Sequence, residues 1–300
     1  KYHSGLVDKL KLDGKIYGIP FYATSPVTIY NKEVFNKCIG GEFPKTYHQL
    51  YSISSDLFKC SNTPVFGVNL NENDTFYRIL NKYGVQSFKS SKNQEKTYKI
   101  YLMFNNMYKY GYMPKDTLTI NHREVIEKYM SNQATTIVAG TNFIKMIKQN
   151  APEMYAKTAI APQLRGDNEK YDVSLMNLVI PKKSKNKEIA REFAFELTNS
   201  ANQLELAKIT NVLPSNLEAL TDNYFKNCSA DLEQMSRCQS VKQLNDVIAY
   251  WVEIKDKKTL NEFLNKSLEE ILLDENSNLK VIKGKITKLF PYLNSLIGQD

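Results

Sequence analysis

The sequence predicts an α/β fold with helices layered on the faces of a sheet. Helix-opening capping signals alternate with short apolar strand runs through the middle of the chain, and strand signals fade after Asn245. Over 300 residues an apolar content of 42% supplies a real core, enough for two ordinary domains or one large one.

The stretch Leu12 to Lys32, LDGKIYGIPFYATSPVTIYNK, comes first. Asp13-Gly14 is a turn dipeptide, because glycine tolerates the positive φ such turns require. Pro20 and Pro26 each fix φ and lack an N–H, which predicts strand edges or starts. Between them Tyr22, Thr24 and Ser25 bring an aromatic face and two hydroxyls into an irregular segment, and Val27 to Tyr30 resumes as strand. Local grammar reads this as an edge strand with a proline bend.

Helices then announce themselves by capping boxes, in which a Ser, Thr or Asn accepts from the third helical N–H and a Glu or Gln reaches back. Thr46 with Gln49, Asn121 with Glu124, Ser200 with Gln203 and Thr259 with Glu262 fit that pattern. The last opens a stripe of Leu260, Phe263, Leu264, Leu268, Ile271 and Leu272 at helical spacing, expected to be buried. A long helix is expected near Gln94 to Lys109, stopped at Gly111. Strands are expected over Val65 to Leu70, Thr135 to Ala139, Lys157 to Ala161 and Leu175 to Ile180. Near the end, Lys280 to Lys288 leads into Leu289 to Leu293, read as a docked terminal helix.

The net charge of +8 raises nucleic acid as a partner, but the lysines are scattered and no nucleic-acid-binding motif is present, so none is expected. Cys38, Cys60, Cys228 and Cys238 form two sequence-local pairs, suiting either two short-loop disulfides or four unrelated thiols; disulfides would fit an extracytoplasmic location. No CxxC occurs and the three histidines stand alone, so no metal or other cofactor is expected. GxSxG, HExxH, the P-loop and GxGxxG are all missing, which argues against an enzyme.

Several polar and aromatic residues are candidates for binding. Thr141, Asn142 and Phe143 follow a strand that breaks at Gly140, where a helix start presents free N–H donors, although capping is the commoner task for Thr and Asn there. Met176 and Asn177 sit in an otherwise buried strand. Asp74 and Phe76 open a helix after Asn71-Glu72-Asn73, and Trp251 in IAYWV is either core or a stacking platform.

Five stretches taken in order resemble the family 1 extracellular solute-binding proteins of ABC importers, the maltose- and glycerol-3-phosphate-binding group. They are DGKIYGIPFYATSPVTIYNKEVF, FPKTYHQL, REVIEKYMSNQATTIVAGTNFIKMI, SLMNLVIPKKSKNKEIAREFAFELTNSANQLELA and NVLPSN. The resemblance implies a two-lobed periplasmic-binding-protein-like fold with crossing hinge strands. Lobe one would comprise residues 1–30 and 176–237, and lobe two residues 31–175 and 238–300. It also implies a further βα-rich segment ahead of Lys1, so that lobe one here is incomplete.

By the same resemblance the chain binds a carbohydrate or polyol in the cleft and delivers it to ABC importer permease subunits. An anionic solute such as a glycerol phosphodiester is the alternative, with Arg78 the arginine placed to hold it. Tyr22, Thr24, Ser25, Asp74, Phe76, Thr141, Asn142, Phe143, Met176, Asn177 and Trp251 would touch the solute. The implied location is extracytoplasmic, in the periplasm or as a cell-surface lipoprotein, with membrane association only through an absent N-terminal lipid anchor or the permease.

Overall fold

Gly14 adopts φ +73°, and the turn it makes folds β1 (Lys11–Leu12) antiparallel onto β2 (Lys15–Ile16), just after the short helix α1 (Ser4–Asp8). The computed structural model describes residues 1–12, 14–72, 74–228, 231–248 and 254–297. The chain continues through β3 (Ile19–Thr24), β4 (Val27–Asn31), α2 (Lys32–Cys38), α3 (Tyr47–Ser61), β5 (Phe66–Gly67), α4 (Thr75–Lys82) and α5 (Ser91–Lys109). Next come α6 (His122–Met130), β6 (Thr136–Ala139), α7 (Asn142–Asn150), α8 (Pro152–Lys157), β7 (Thr158–Ala161) and β8 (Ser174–Leu178). The remainder is α9 (Lys187–Leu197), α10 (Ser200–Thr210), β9 (Leu213–Pro214), α11 (Asn223–Lys226), α12 (Leu232–Gln243), α13 (Lys257–Leu272), α14 (Leu279–Thr287) and α15 (Phe290–Leu296).

Two larger sheets result, one for each lobe of a two-lobed α/β fold. The first has the order β8-β3-β9, the second β5-β6-β4-β7, and the chain passes between them at Ser25-Pro26 and again between β7 and β8. In the second sheet the period-2 alternation of strand side chains separates two cores. Val27, Ile29, Ile137 and Ala139 meet Ile144 and Ile147 on one face. Phe66 and Val138 meet the larger core on the other, built on Tyr101, Phe104, Leu260 and Leu264. The first sheet has a smaller core of Leu6, Ala23, Val173, Leu213, Phe225 and Leu244, and its edge strand β8 leaves Met176 54% exposed.

Pro20 falls in a middle strand rather than an edge. It is tolerated because β9 pairs with β3 only at Tyr22 and Ala23, while the pairing with β8 shifts register between Pro20 and Tyr22, so no ladder bond is asked of the missing N–H.

The caps vary in how they match the sequence. Asn121 and Glu124 form the full capping box of α6. Thr46 caps α3, but Gln49 reaches past it to the N–H of Lys45. At α10 the cap is Asn199, one residue early, which frees Gln203 to turn inward and hold Asn216 N–H at 2.9 Å. At α13 Asp256 caps instead of Thr259, and the Thr259 hydroxyl donates to its carboxylate at 2.7 Å. The strands are shorter than the apolar runs suggest, β5 most of all. Both local cysteine pairs are disulfides, Cys38–Cys60 joining α2 to α3 and Cys228–Cys238 tying the segment after α11 to α12. Phe290 and Leu293 of α15 are buried, so the terminal segment docks into the core. Among the described residues no helix is long and apolar enough to cross a membrane.

Candidate functional site

A cleft of about 480 Å³ lies where the first crossing meets the open end of the second sheet, within the size range of ligand sites. Thr24 and Pro26 bring the crossing to its wall, Val68 and Asn69 follow β5, and Asp74, Arg78 and Lys82 line it from α4. Gly140, Asn142 and Phe143 supply the start of α7, and Gln163, Asp172 and Ser174 the second crossing. Phe143 meets His122 edge to face at 5.1 Å. Burial pushes the His122 imidazole below its ordinary pKa against the pull of the Glu72 carboxylate, so it is neutral near pH 7.

The α4 wall is charged. Asp74, Arg78 and Lys82 follow one another at i, i+4, which puts them on one face of the helix. The Arg78 guanidinium donates to Asp74 at 2.7 Å, to Asp172 at 2.7 Å and to Ser174 Oγ at 3.2 Å. Lys257 pairs with the other oxygen of Asp74 at 2.6 Å. Burial alone would raise both carboxylates, but Arg78 overrides it, together with Lys257 at Asp74 and with Lys82 and Lys9 at Asp172, and holds both below the usual carboxylate pKa. Lys82 is 4% exposed; its ammonium donates to Leu164 O at 2.9 Å and Tyr47 Oη at 3.4 Å. Burial lowers its pKa to about 8.

On the far side of Arg78 a second cavity of about 510 Å³ is lined by Lys9, Gln86, Asn177 and Lys257, and shares Asp74, Arg78, Asp172 and Ser174 with the first. The charged cluster is therefore the partition between two hollows.

Both crossings are held by one residue. Gln243, fully buried at the end of α12, donates through Nε2 to Ser25 Oγ at 2.7 Å and Pro26 O at 2.9 Å, while its Oε1 accepts from Gln163 N–H at 2.7 Å. Ser240, one turn earlier, donates to Ser25 O at 2.6 Å.

Of the residues singled out in the sequence, Thr24, Asp74, Asn142 and Phe143 come together on the cleft. Ser25 lies beside it with its hydroxyl committed to Gln243. The hydroxyl of Thr141 does not cap α7 and lies 3.4 Å from Asn211 O. Tyr22 and Met176 face each other across β3 and β8 away from the cleft lining, and Asn177 lines the second cavity. Phe76 is wholly buried, edge-on to Tyr101 at 4.7 Å. Trp251 lies outside the described residues. Sequence reasoning missed Lys82, Gln163, Asp172 and Gln243, none of which stands in a recognisable motif; their roles come from long-range contacts alone.

The chain is similar to known binding proteins. It is 24% identical over 228 residues to the galactooligosaccharide-binding protein of Bacillus subtilis, an alignment covering 71% of this chain and 52% of that protein. A periplasmic-binding protein from Synechococcus sp. MITs9220, assigned to oligosaccharides, superposes with a TM-score of 0.81 at 21% identity, over 98% of this chain and 77% of that one. UgpB from Mycobacterium tuberculosis, solved in complex with glycerophosphocholine, gives 0.71 at 16% identity, over 98% and 75%. Together with the match of residues 1–234 to the family model of the bacterial extracellular solute-binding protein, this cleft between two lobes shows that the chain belongs to that family, the solute receptors of ABC importers that work outside the cytoplasmic membrane.

Proposed function

We propose that the chain is a receptor, and not a catalyst, for a carbohydrate or related polyol, which it holds between its lobes and hands to the permease subunits of an ABC importer. The observation that carries this reading is the make-up of the cleft. Phe143 offers an aromatic face for sugar C–H groups, while Asn69, Asn142, Thr24 and Ser174 offer amides and hydroxyls to sugar oxygens on the same walls. Thr24, Asp74, Asn142 and Phe143 are the contacts we propose among the residues expected from sequence. The lobes divide near residues 30, 176 and 238, and closure is a population shift toward the state in which both walls touch solute. The sugar names of the Bacillus and Synechococcus relatives support the same class. The family's extracellular setting supports a periplasmic or lipid-anchored surface location.

Isothermal titration calorimetry of the 300-residue chain against neutral monosaccharides, disaccharides, oligosaccharides and polyols tests the reading. Saturable binding of at least one is expected; silence across the whole panel overturns it.

A further inference from the structure

The proposed contacts leave one charged group of the cleft without a role. Lys82 carries three N–H donors, two of which are used on neutral oxygens, Leu164 O and Tyr47 Oη. The ammonium also lies over the Tyr47 ring, 5.3 Å from its centroid. Among the described residues no carboxylate comes within 4.0 Å of it. Asp172 acts on it from farther away and is itself bound to Arg78.

A buried cation without an ion partner is costly, and fold stability alone does not call for one. The C-terminal end of α4 and two oxygens solvate it in part. They do not neutralise it.

The surroundings keep the surplus positive. Four cations, Lys9, Arg78, Lys82 and Lys257, gather around two carboxylates, Asp74 and Asp172, which are already engaged with Arg78 and Lys257. Arg78, one helical turn from Lys82, uses Nε and Nη1 on these partners and leaves Nη2 free among the described residues. The remaining carboxylate of the cleft, Glu72, acts on His122 and not on Lys82. An anion on the Lys82 side would thus meet a dry ammonium and one guanidinium edge, while the carboxylate oxygen without a hydrogen-bond partner in the cleft, Glu72 Oε2, lies on the His122 side.

We propose that the cleft selects a solute bearing an anionic substituent, a carboxylate or a phosphate ester, seated on the Lys82 ammonium beside Arg78 Nη2. The inference rests on the receptor reading above and narrows its substrate class to acidic saccharides or phosphorylated polyols. Lys82 is the primary contact; Arg78, held by two carboxylates, is the secondary one. The ligand's charge completes the ion pair that the fold leaves open.

The test is calorimetry at pH 7 with matched probes: galactobiose against digalacturonate, glucose against glucose 6-phosphate, and then glycerophosphocholine and inorganic phosphate. The anionic member of a pair is expected to bind roughly ten- to a hundredfold tighter than its neutral parent, the worth of one charged hydrogen bond, and Lys82→Met is expected to collapse that ratio. Digalacturonate or glucose 6-phosphate as the winning arm names the substituent.

If neutral sugars bind as tightly as their acidic partners, the anion inference falls and the sugar reading stands. If glycerophosphocholine binds and no sugar of either kind does, the sugar reading falls and the anion inference stands. Binding of inorganic phosphate alone, or of no anionic probe, overturns the inference. A wild-type measurement covers a Lys82→Met chain that fails to fold: the acidic preference must fall between pH 7 and pH 9.5, where Lys82 and Lys9 titrate while Arg78, Asp74, Asp172 and neutral His122 keep their charge. A preference unchanged across that range also overturns it.

Discussion

Replacing Lys82 by methionine should stabilise the empty protein at pH 7 and destabilise it at pH 9.5. Burial lowers the ammonium pKa from 10.5 to about 8, and each pKa unit is worth about 1.4 kcal/mol, so the buried charge costs about 3 kcal/mol wherever it is protonated in both states. Methionine removes that cost and leaves Leu164 O and Tyr47 Oη without a donor, a loss of about 1 kcal/mol each. The net expectation at pH 7 is a gain of about 1 kcal/mol. Between pH 8 and 10.5 the unfolded chain carries the proton and the folded chain does not, so the wild type gains stability as pH rises through that window. At pH 9.5 the charge cost has fallen to about 1.4 kcal/mol, the lost hydrogen bonds remain at about 2 kcal/mol, and the variant is the weaker by about 0.6 kcal/mol. Urea unfolding of both proteins at the two pH values measures the difference. The comparison stays below pH 10 because burial raises the pKa values of Tyr47, Tyr83, Tyr101 and Tyr129, which erode stability above that point. A stability difference of the same sign and size at both pH values would refute the reasoning, since it would mean the ammonium is not dehydrated in the fold.

Four further outcomes are expected. Arg78→Met leaves Asp172 buried without its guanidinium and should cost about 3–5 kcal/mol, read as a drop in urea midpoint at pH 7. In the wild type, Asp74 and Asp172 sit below their ordinary pKa, so the stability they contribute is present above about pH 4 and is lost as pH falls through their folded values; an acid titration followed by near-ultraviolet dichroism of the aromatic side chains tracks it. Reducing Cys38–Cys60, or replacing both residues by serine, frees a sequence separation of 22 residues and should cost about 3 kcal/mol by the chain-entropy estimate, visible as a lower melting temperature. Phe143→Ala should weaken binding of whichever solute the calorimetric panel identifies by roughly three- to tenfold, the worth of one aromatic contact, with little change in unfolding midpoint because Phe143 is only half-buried; an unchanged affinity would remove Phe143 from the site.

What could be read in the sequence was the part written in local patterns. The Asn121–Glu124 box, the Leu260 to Leu272 stripe and the turn at Gly14 each specify geometry within a few residues, and each appears in the structure where its pattern places it, save that Phe263 of the stripe is 37% exposed. Gln203 shows the limit. Its spacing from Ser200 suggested a cap, yet Asn199 caps equally well, and a buried backbone at Phe21 and Asn216 needed a partner more than the helix end did. The cleft was half legible. Thr24, Asn142 and Phe143 stand where a strand breaks or a helix starts, which local grammar marks. Lys82 looks like any other lysine in the last turn of a helix; only the closing of the segment around Leu164 and Tyr47 over it makes it dry. Phe76, two residues from Asp74, points the other way into the core, because neighbouring positions on a helix face different sides.

Gln243 gives the two crossings a common pivot. A two-lobed receptor must turn about the segments that join its halves, and independent joints would let the lobes twist and slide as well as close. Here Ser25, Pro26 and the backbone of Gln163 are fastened to a single amide at the end of α12. That amide has spent its donors and its acceptor on them, so it has nothing with which to follow one segment and release the other. The two crossings therefore move together, and opening is constrained toward a single rotation with α12 as its axle. With solute seated as proposed above, the walls that grip it share one bearing, so the lobe geometry that a permease would meet is set by one angle.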